Sequence, residues 1–240
     1  MTRMTKLFLT LAAFALFTTS AFAVPVTFIS RPAFDAATAG SPRFTEDFQS
    51  FAADAQFRTA PVNVNGNFTL QQVNLAGTPA TFRNQIDTQP FLFNEGQTTT
   101  YVSAFVDATF TAIDLTFTNS VYAFGADFFG VEGPPGGEGL ALDLFTPGGA
   151  LFATLLVPQS AAAGSFFGFV NSSQTELIGR IRLRGATSIG GQGLGEGFGF
   201  DNAVGAPIPE PATMLLLGTG LAGVAAKVRK RRQARQSEAD

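Results

Sequence analysis

The sequence predicts an all-β fold, an antiparallel β-sandwich of the jelly-roll type with one short N-terminal helix. The body of the chain divides into about ten short segments rich in Phe, Val, Thr, Ile and Leu. Turn clusters such as Asn65-Gly66 and Pro147-Gly148-Gly149 separate most of these segments, and no helical pattern lies between them. Short strands at this spacing, without intervening helices, are typical of antiparallel sandwiches.

The first element is the short helix. Ser30 occupies the N-cap position, Pro32 lies in the first turn, and Gly40 ends the element. The predicted strands follow in the order 44–51, 67–73, 100–108, 109–118, 121–130, 140–145, 151–157, 166–170, 177–184 and 197–204.

Alternation within several strands predicts which face is buried. Residues 113, 115 and 117 are apolar while Asp114 and Thr116 lie opposite, and Leu residues at 140, 142 and 144 alternate with Asp143. The run 121–129 is apolar on both faces, which places it at the centre of the fold, and Asn119-Ser120 before it has the composition of a turn.

Composition excludes many kinds of chemistry. The chain has no Cys and no His, so disulfides, thiol nucleophiles, Ser-His-Asp triads and histidine-ligated metals are excluded. Residues 24–206 contain seven Arg, no Lys and fifteen acidic residues, a net charge of −8. This charge argues against nucleic acid as a partner and is compatible with divalent cations and neutral glycans.

The N-terminal 23 residues have the pattern of a secretory signal peptide. Arg3 and Lys6 precede an apolar stretch at 7–17, and Ala21-Phe22-Ala23 is a small-x-small cleavage site. We therefore expect cleavage after Ala23 and export of the body.

The C-terminal segment combines three features in a fixed order. Pro209-Glu210-Pro211 is followed by an apolar run at 212–226 and then by a basic stop. The basic stop consists of Lys227, Arg229, Lys230, Arg231 and Arg232. An apolar run of about fifteen residues makes roughly 23 Å of helix, a short transmembrane span whose basic flank favours the cytoplasmic side.

Together these features resemble the PEP-CTERM sorting signal of Gram-negative bacteria. The resemblance implies recognition and cleavage by a membrane transpeptidase, the exosortase, in bacteria that make exopolysaccharide and biofilm. It also implies transit through the inner membrane to the cell surface or extracellular matrix. The expected organisation is a signal peptide at 1–23, an exported domain at 24–206 and a sorting signal at 207–240.

The first and last strands of the body resemble those of exported lectin-like and carbohydrate-binding sandwiches. In such domains these strands lie side by side, and in some members their acidic groups coordinate calcium. The resemblance implies a calcium site made by Glu46 or Asp47 with Asp201 and the carbonyl of Asn202, which would supply hard oxygen ligands. The alternative is that Asp201-Asn202 forms an Asx turn and Glu46-Asp47 is solvated.

Three arginines at 180, 182 and 184 form a ladder on one face of a predicted strand, about 6.6 Å apart. In an acidic body they are expected to pair with carboxylates across the sheet, with Asp107, Asp114 and Asp143 as candidates. The alternative is a glycan-binding fork that recognises uronic-acid carboxylates.

The leading functional hypothesis is a non-enzymatic surface or matrix module that binds glycan and has no cofactor other than calcium. A second hypothesis is a hydrolase with a carboxylate pair drawn from Glu95, Asp127, Glu132, Glu138 and Glu196. Sugar-cleaving grooves usually present Trp or Tyr, and this chain has no Trp and two Tyr, which weakens that hypothesis. A third is a purely structural surface protein.

Overall fold

A computed structural model describes residues 24–76, 84–88, 99–132, 138–160, 164–172, 176–186 and 195–207. Within these ranges the chain forms thirteen strands and one short helix, and all strand pairs are antiparallel. The prediction of an antiparallel β fold with one short helix is confirmed. In chain order the elements are β1 Pro25–Phe28, α1 Arg31–Ala37, β2 Phe44–Glu46, β3 Ala55–Gln56, β4 Val62–Val64, β5 Phe68–Asn74, β6 Gln85–Asp87, β7 Tyr101–Val106, β8 Thr111–Phe129, β9 Leu140–Phe145, β10 Leu151–Val157, β11 Ser165–Asn171, β12 Ile178–Gly185 and β13 Glu196–Pro207.

The central strand is β8, which is 19 residues long. Its first half pairs with β5 and β12, and its second half pairs with β11 and β13. The central position predicted for 121–129 is therefore confirmed, but the turn predicted at Asn119-Ser120 is wrong. The backbone stays extended at these two residues. They lie between the half of β8 that pairs with β5 and β12 and the half that pairs with β11 and β13, and Asn119 is exposed to solvent there.

Two groups of strands share β8. The first has the order β4-β5-β8-β12-β9-β10, and the second has the order β1-β11-β8-β13. On its far side β13 pairs with β7 through its first half and with β2 through its second half, and β7 leads on to β6 and β3. The long strands β8 and β13 therefore organise the second group.

Phenylalanine side chains from both groups fill one core. Phe48 contacts Phe68 and Phe200, with ring centroids 6.4 and 5.8 Å apart, and Phe117 contacts Phe124 at 5.7 Å. Edge-to-face pairs of this kind add about 0.5–1.5 kcal/mol beyond the burial of their area. The inward faces predicted from alternation are confirmed, because apolar residues at 113, 115, 117, 140, 142 and 144 all lie in this core, as do those at 181 and 183.

The helix α1 covers the outer face of the second group. Ser30 is its N-cap residue, with extended backbone and no capping hydrogen bond from its side chain, and a proline follows in the first turn. The buried Phe34 contacts Phe166 at 5.4 Å between ring centroids and packs in a smaller apolar cluster that includes Tyr122 and Val204. The predicted position of the helix is confirmed.

Strand β2 is shorter than the predicted segment 44–51. Phe48 has φ of 57°, and its backbone N–H donates to Oε1 of Glu46 at 2.8 Å, so the chain turns directly after Glu46. The sequence prediction also missed β1, β3, β4 and β6, which have only two to four residues each.

The signal peptide and the apolar run at 212–226 lie outside the described residues. Among the residues that the structure does describe, no helix has the length and apolar character needed to cross a membrane.

Candidate functional sites

Strands β2 and β13 lie side by side, with Glu46 opposite Ala203. This agrees with the pairing that the resemblance to carbohydrate-binding sandwiches implied. Glu46 is nearly fully buried, and its Oε2 accepts a hydrogen bond of 2.7 Å from Nδ2 of Asn65. Since Oε1 accepts the N–H of Phe48, both carboxylate oxygens of Glu46 bind protein donors and tie β2 to the turn between β4 and β5.

Asp201 and Asn202 form an irregularity in β13. Asp201 lies opposite Asp127 of β8, the register with β8 shifts between Asp201 and Val204, and Asn202 has φ of 50°. The Asp201 carboxylate accepts the N–H of Asn202 at 2.6 Å and the hydroxyl of Thr99 at 3.2 Å. The extra residue of a bulge re-aims its neighbours, and here it brings the Asn202 amide to 3.0 Å from Asp127.

The pKa of Asp201 is raised to about 6, chiefly by burial and also by the negative charges of Asp47 and Asp127, although hydrogen bonds from Asn202 and Thr99 act to lower it. Arg31 offsets part of this charge, because its guanidinium lies 3.0 Å from Asp127 and 2.8 Å from the carbonyl oxygen of Asn202. We call Arg31, Asp47, Asp127, Asp201 and Asn202 the Asp201 cluster.

The Asp201 cluster contains three of the four residues predicted for calcium. Asp47 is exposed, Asp201 is buried, and Glu46 is engaged with Asn65. Within the described ranges no group of three or more acidic side chains has an arrangement that could hold a metal ion. The calcium site stays a prediction.

Sequence reasoning placed neither Asp127 nor Arg31 in this cluster. The signal for Asp127 is its charge, since it is the only acidic or basic residue within the apolar run 121–129. A charged side chain on an otherwise apolar central strand needs a polar partner or solvent. Arg31 carried no such signal, because only the packing of α1 against β11 brings it to β13.

The arginine ladder on β12 pairs with two carboxylates. Arg180 and Arg182 both bind Asp114, and Arg184 binds Asp143, with closest N–O distances of 2.7 Å. Arg182 and Arg184 each donate two hydrogen bonds to their carboxylate. The predicted pairing with Asp114 and Asp143 is confirmed.

Asp107, the third candidate partner, instead accepts the backbone N–H groups of Thr109 and Phe110 in the turn before β8. Burial raises the pKa of Asp143, but hydrogen bonds from Arg184 and Thr154 and the nearby cationic charge hold that pKa below its ordinary value. The use of this ladder as a glycan-binding fork stays a prediction.

Three of the candidate hydrolase carboxylates lie near one another, because the Glu196 carboxylate interacts with the backbone of both Glu132 and Glu138. Asp127 belongs to the Asp201 cluster, and Glu95 lies outside the described residues. Glu196 accepts the backbone N–H groups of Glu132 and Gly139, and Glu138 accepts the N–H of Ala108. Burial raises the pKa of Glu196 although these amides act to lower it.

The body ends with β13 at Pro207, and a family model for the PEP-CTERM protein-sorting motif matches residues 207–232. The match includes Pro209-Glu210-Pro211, the apolar run and the basic stop from Lys227 to Arg232. This chain is a PEP-CTERM sorting-domain protein. The motif implies an exported surface protein that is processed by exosortase, a membrane protein.

A search of curated proteins found no match to this PEP-CTERM protein. The sorting motif therefore assigns a route and a processing enzyme, and the activity of the body has to be argued from its own residues.

Proposed function

We propose that the exported body of this PEP-CTERM protein is a non-enzymatic surface or matrix module that associates with exopolysaccharide in biofilm. The observation that carries this proposal is that buried carboxylates accept hydrogen bonds from donors of the protein itself. Glu46 binds an amide side chain and a backbone N–H, Glu196 binds two backbone N–H groups, and Asp114 binds two guanidinium groups. Carboxylates committed to such bonds stabilise a scaffold and are poorly placed for acid–base catalysis.

We infer that the two groups of strands sharing β8 act as the two layers of a jelly-roll-like sandwich. Support comes from Phe48, in the turn after β2, whose ring contacts both Phe68 of β5 in the first group and Phe200 of β13 in the second. A two-layer β scaffold leaves its outer faces and end loops available for ligand contact.

The Asp201 cluster is the proposed contact for glycan, through a calcium ion. Asp47 and Asp201 would supply carboxylate oxygens and Asn202 its carbonyl oxygen, which also accepts a hydrogen bond from Arg31. The negative charges of Asp47 and Asp127 act on Asp201 and raise its pKa, so the surroundings of Asp201 are acidic. A cation bound there would relieve the repulsion among them.

The arginine ladder is the second proposed contact. The side chains of Arg180, Arg182 and Arg184 retain 22–27% exposure, so their outer edges reach solvent. This surface would suit uronic-acid polymers, whose carboxylates would compete with Asp114 and Asp143 for the guanidinium groups.

The test is glycan binding by the purified full-length protein, measured with neutral and uronic-acid polysaccharides in millimolar calcium or in chelator. We expect calcium-dependent binding that is lost in Asp201→Ala and retained in Asp35→Ala, an acidic control on α1 that pairs with Arg43 and is not part of the Asp201 cluster. Equal binding in calcium and chelator would remove the Asp201 cluster as the contact. Loss of uronic-acid binding in Arg182→Ala alone would move the contact to the ladder.

The same samples test the enzymatic alternative. Incubation with each polysaccharide should release no reducing ends above those of a boiled sample. Release that disappears in Glu196→Gln would show a hydrolase and overturn the proposal. Absence of both binding and cleavage would favour the purely structural surface protein.

A further inference from the structure

The folded body ends directly beside the sorting motif. Strand β13 ends at Pro207, which pairs with Val121 of β8. In the sequence, Ile208 alone separates Pro207 from Pro209-Glu210-Pro211. An extended chain spans at most about 3.6 Å per residue, so Pro209 can lie no further than roughly 7 Å from the last residue of the sheet.

This distance is short compared with the size of an enzyme. The sorting motif implies processing by exosortase, and even a folded domain of 100 residues has a radius of gyration of about 13 Å. An enzyme that binds Pro209-Glu210-Pro211 therefore comes within contact distance of the part of the body that surrounds Pro207.

An open pocket adjoins Pro207. It has a volume of about 130 Å³ and lies where β2 and β5 begin and β13 ends. Its described lining residues are Pro42, Arg43, Phe44, Asn67, Asn119 and Pro207. None of these lining residues is acidic, although the body has a net charge of −8. The pocket therefore offers a guanidinium group and two side-chain amides to a partner with hydrogen-bond acceptors.

Two of these polar side chains are accessible to a partner. The side chain of Arg43 is 35% exposed, and its hydrogen bonds to Asp35 and Thr38 both use Nη1. Within the described part of the chain, its Nε and Nη2 groups make no hydrogen bond of their own. Asn119 is exposed although it lies within the central strand β8. The polar pair Asn119-Ser120, which forms no turn, thus lies next to the point where the sorting signal leaves the sheet.

The body also begins at this end of the sheet. Val26 of β1 pairs with Val170 of β11, Val170 pairs with Ala123 of β8, and Ala123 pairs with Ala206 of β13. Three strand spacings separate β1 from β13, roughly 14 Å. The predicted signal peptide, which ends at Ala23, and the sorting signal therefore leave the body from the same end. This arrangement favours an orientation in which that end faces the membrane during export.

We propose that the surface around Pro207, with Arg43, Asn67 and Asn119, is a docking surface for exosortase, which then contacts the folded body together with the sorting motif. A polypeptide supplies the carbonyl and carboxylate acceptors that guanidinium and amide groups bind. Anionic lipid is a less suitable occupant, because recruitment to a bilayer by charge takes a cluster of about four to eight basic residues. Among the described lining residues Arg43 alone is basic.

The first test measures the processing rate of the full-length protein by pulse–chase in cells that contain its exosortase. Arg43 and Asn119 are exposed, so Arg43→Ala combined with Asn119→Ala should leave the fold intact and lower the rate at least fivefold. The control combines Gln159→Ala with Ser165→Ala, because both residues are exposed and Ser165 begins β11 at the end away from Pro25. Equal processing rates for the two double variants would overturn the proposal, as would a wild-type protein that is not processed.

A second variant leaves the docking surface unchanged and moves it away from the motif. Twelve Gly and Ser residues inserted between Pro207 and Ile208 replace a fixed short connection by a flexible one, which lowers the effective concentration of one contact relative to the other. We expect processing to slow at least threefold. Adding Arg43→Ala and Asn119→Ala to this variant should then have less than a twofold further effect. Unchanged processing would show that the motif is recognised alone, and faster processing would show that the body only obstructs the enzyme. Either result would overturn the proposal.

Cross-linking tests the contact itself and does not depend on the rate. A photo-crosslinking amino acid in place of Asn119 should give a covalent adduct with exosortase during export, and the same amino acid in place of Ser165 should give at least fivefold less. Adducts of position 119 with lipid alone would assign this surface to the membrane and overturn the proposal. Equal adduct yields at the two positions would also overturn it, because they would indicate unspecific contact.

Discussion

Asp201 is a carboxyl group that the fold holds away from water and close to two other acidic residues. Its exposure is 7%, and its hydrogen bonds come from one backbone N–H and one hydroxyl. Two neutral donors do not offset the burial and the charges of Asp47 and Asp127, so the pKa of Asp201 rises to about 6. Folding therefore favours the protonated form of this residue.

The first prediction concerns pH. The pKa of Asp201 is higher in the folded chain, about 6, than its ordinary value of 3.8, so its contribution to stability is fully present below pH 3.8 and is lost as the pH rises through 6. Asp201→Asn keeps an acceptor for Asn202 and removes the charge. In chelator, the variant should be more stable than the wild type at pH 7.5, by roughly 2–3 kcal/mol, with the difference falling towards zero at pH 4. Denaturant unfolding at both pH values measures the difference in free energy of unfolding between variant and wild type. A difference that does not change with pH would contradict the prediction.

The core face and the outer face of the sheet contribute differently to stability, as three side chains show: Phe117, Phe124 and Arg182. Phe117 and Phe124 are buried in the shared core and contact each other, while Arg182 lies on the outer face with 22% of its side chain exposed. Truncating a core aromatic removes burial and leaves a cavity. Truncating Arg182 leaves Asp114 still paired with Arg180.

The second prediction follows from this contrast. Phe117→Ala and Phe124→Ala should each lower the free energy of unfolding by roughly 3–5 kcal/mol, and Arg182→Ala by about 1 kcal/mol. Denaturant unfolding of the three variants under one set of conditions measures the difference. Comparable losses for all three would mean that the outer-face ion pairs carry as much stability as the core.

The sequence predicted part of the candidate sites. It indicated Asp201 and Asn202 through the resemblance of the last strand to those of carbohydrate-binding sandwiches, and it indicated Asp114 and Asp143 as partners of the arginines. It could not show that Glu46 turns towards Asn65, because that contact depends on how the turn between β4 and β5 packs on β2. Arg31 and Asp127 meet for a similar reason, since the position of α1 on the sheet is set by tertiary packing.

At the scale of elements, the pairing of β13 depends on glycines that lie opposite aromatic rings. Gly199 is paired with Phe129, and a Cβ added at Gly199 would lie 2.1 Å from a carbon of that ring. Gly205 has the same relation to Phe44 across β2. A ring that packs over a glycine of the neighbouring strand fills the space that a side chain would occupy, so these glycines allow close packing of the sheet.

The third prediction tests this packing. Phe129 is buried and its ring lies 4.9 Å from that of Tyr101, so it cannot move aside freely. Gly199→Ala should therefore destabilise the protein by roughly 1–3 kcal/mol. Gly148→Ala is the matched control, because the nearest atom to its added Cβ is 3.8 Å away, and its effect should stay within about 0.5 kcal/mol. Equal thermal unfolding of the two variants would show that the ring over Gly199 is mobile.

The strands that the sequence predicted share one property, a run of five or more residues with apolar alternation or continuous apolar character. β9, β10 and β12 belong to this class, and their observed bounds lie within one residue of the predicted ones. β3 and β6 have two and three residues, too few for a period to be visible. The turn predicted at Asn119-Ser120 is wrong. Polar residues also occur within a continuous strand, at the exposed segment between its two sets of partner strands.

At the scale of the whole molecule, the body and the sorting signal have opposite charge. The body has a net charge of −8, while the basic stop places five cations within six residues after the apolar run. Cationic residues beside an apolar segment favour the cytoplasmic side of a membrane, and the acidic body contains only arginine as a cationic side chain. The charges are thus distributed as expected for an exported body whose tail is held inward until exosortase acts.

The fourth prediction concerns that processing. The apolar run at 212–226 is shorter than the roughly twenty residues of a comfortable span, and the prolines at 209 and 211 prevent a helix from extending it upstream. A segment of this kind suits brief retention better than permanent anchoring. We expect the mature surface protein to lack the residues after about Pro211, and replacement of Pro209-Glu210-Pro211 by three alanines to leave the full-length form in the inner membrane. Replacement of Gln236 by Ala, outside the matched motif, is the control and should be processed normally. Mass spectrometry of the surface fraction decides the matter, because an intact peptide covering 236–240 in the wild-type protein would show that the tail is a permanent anchor.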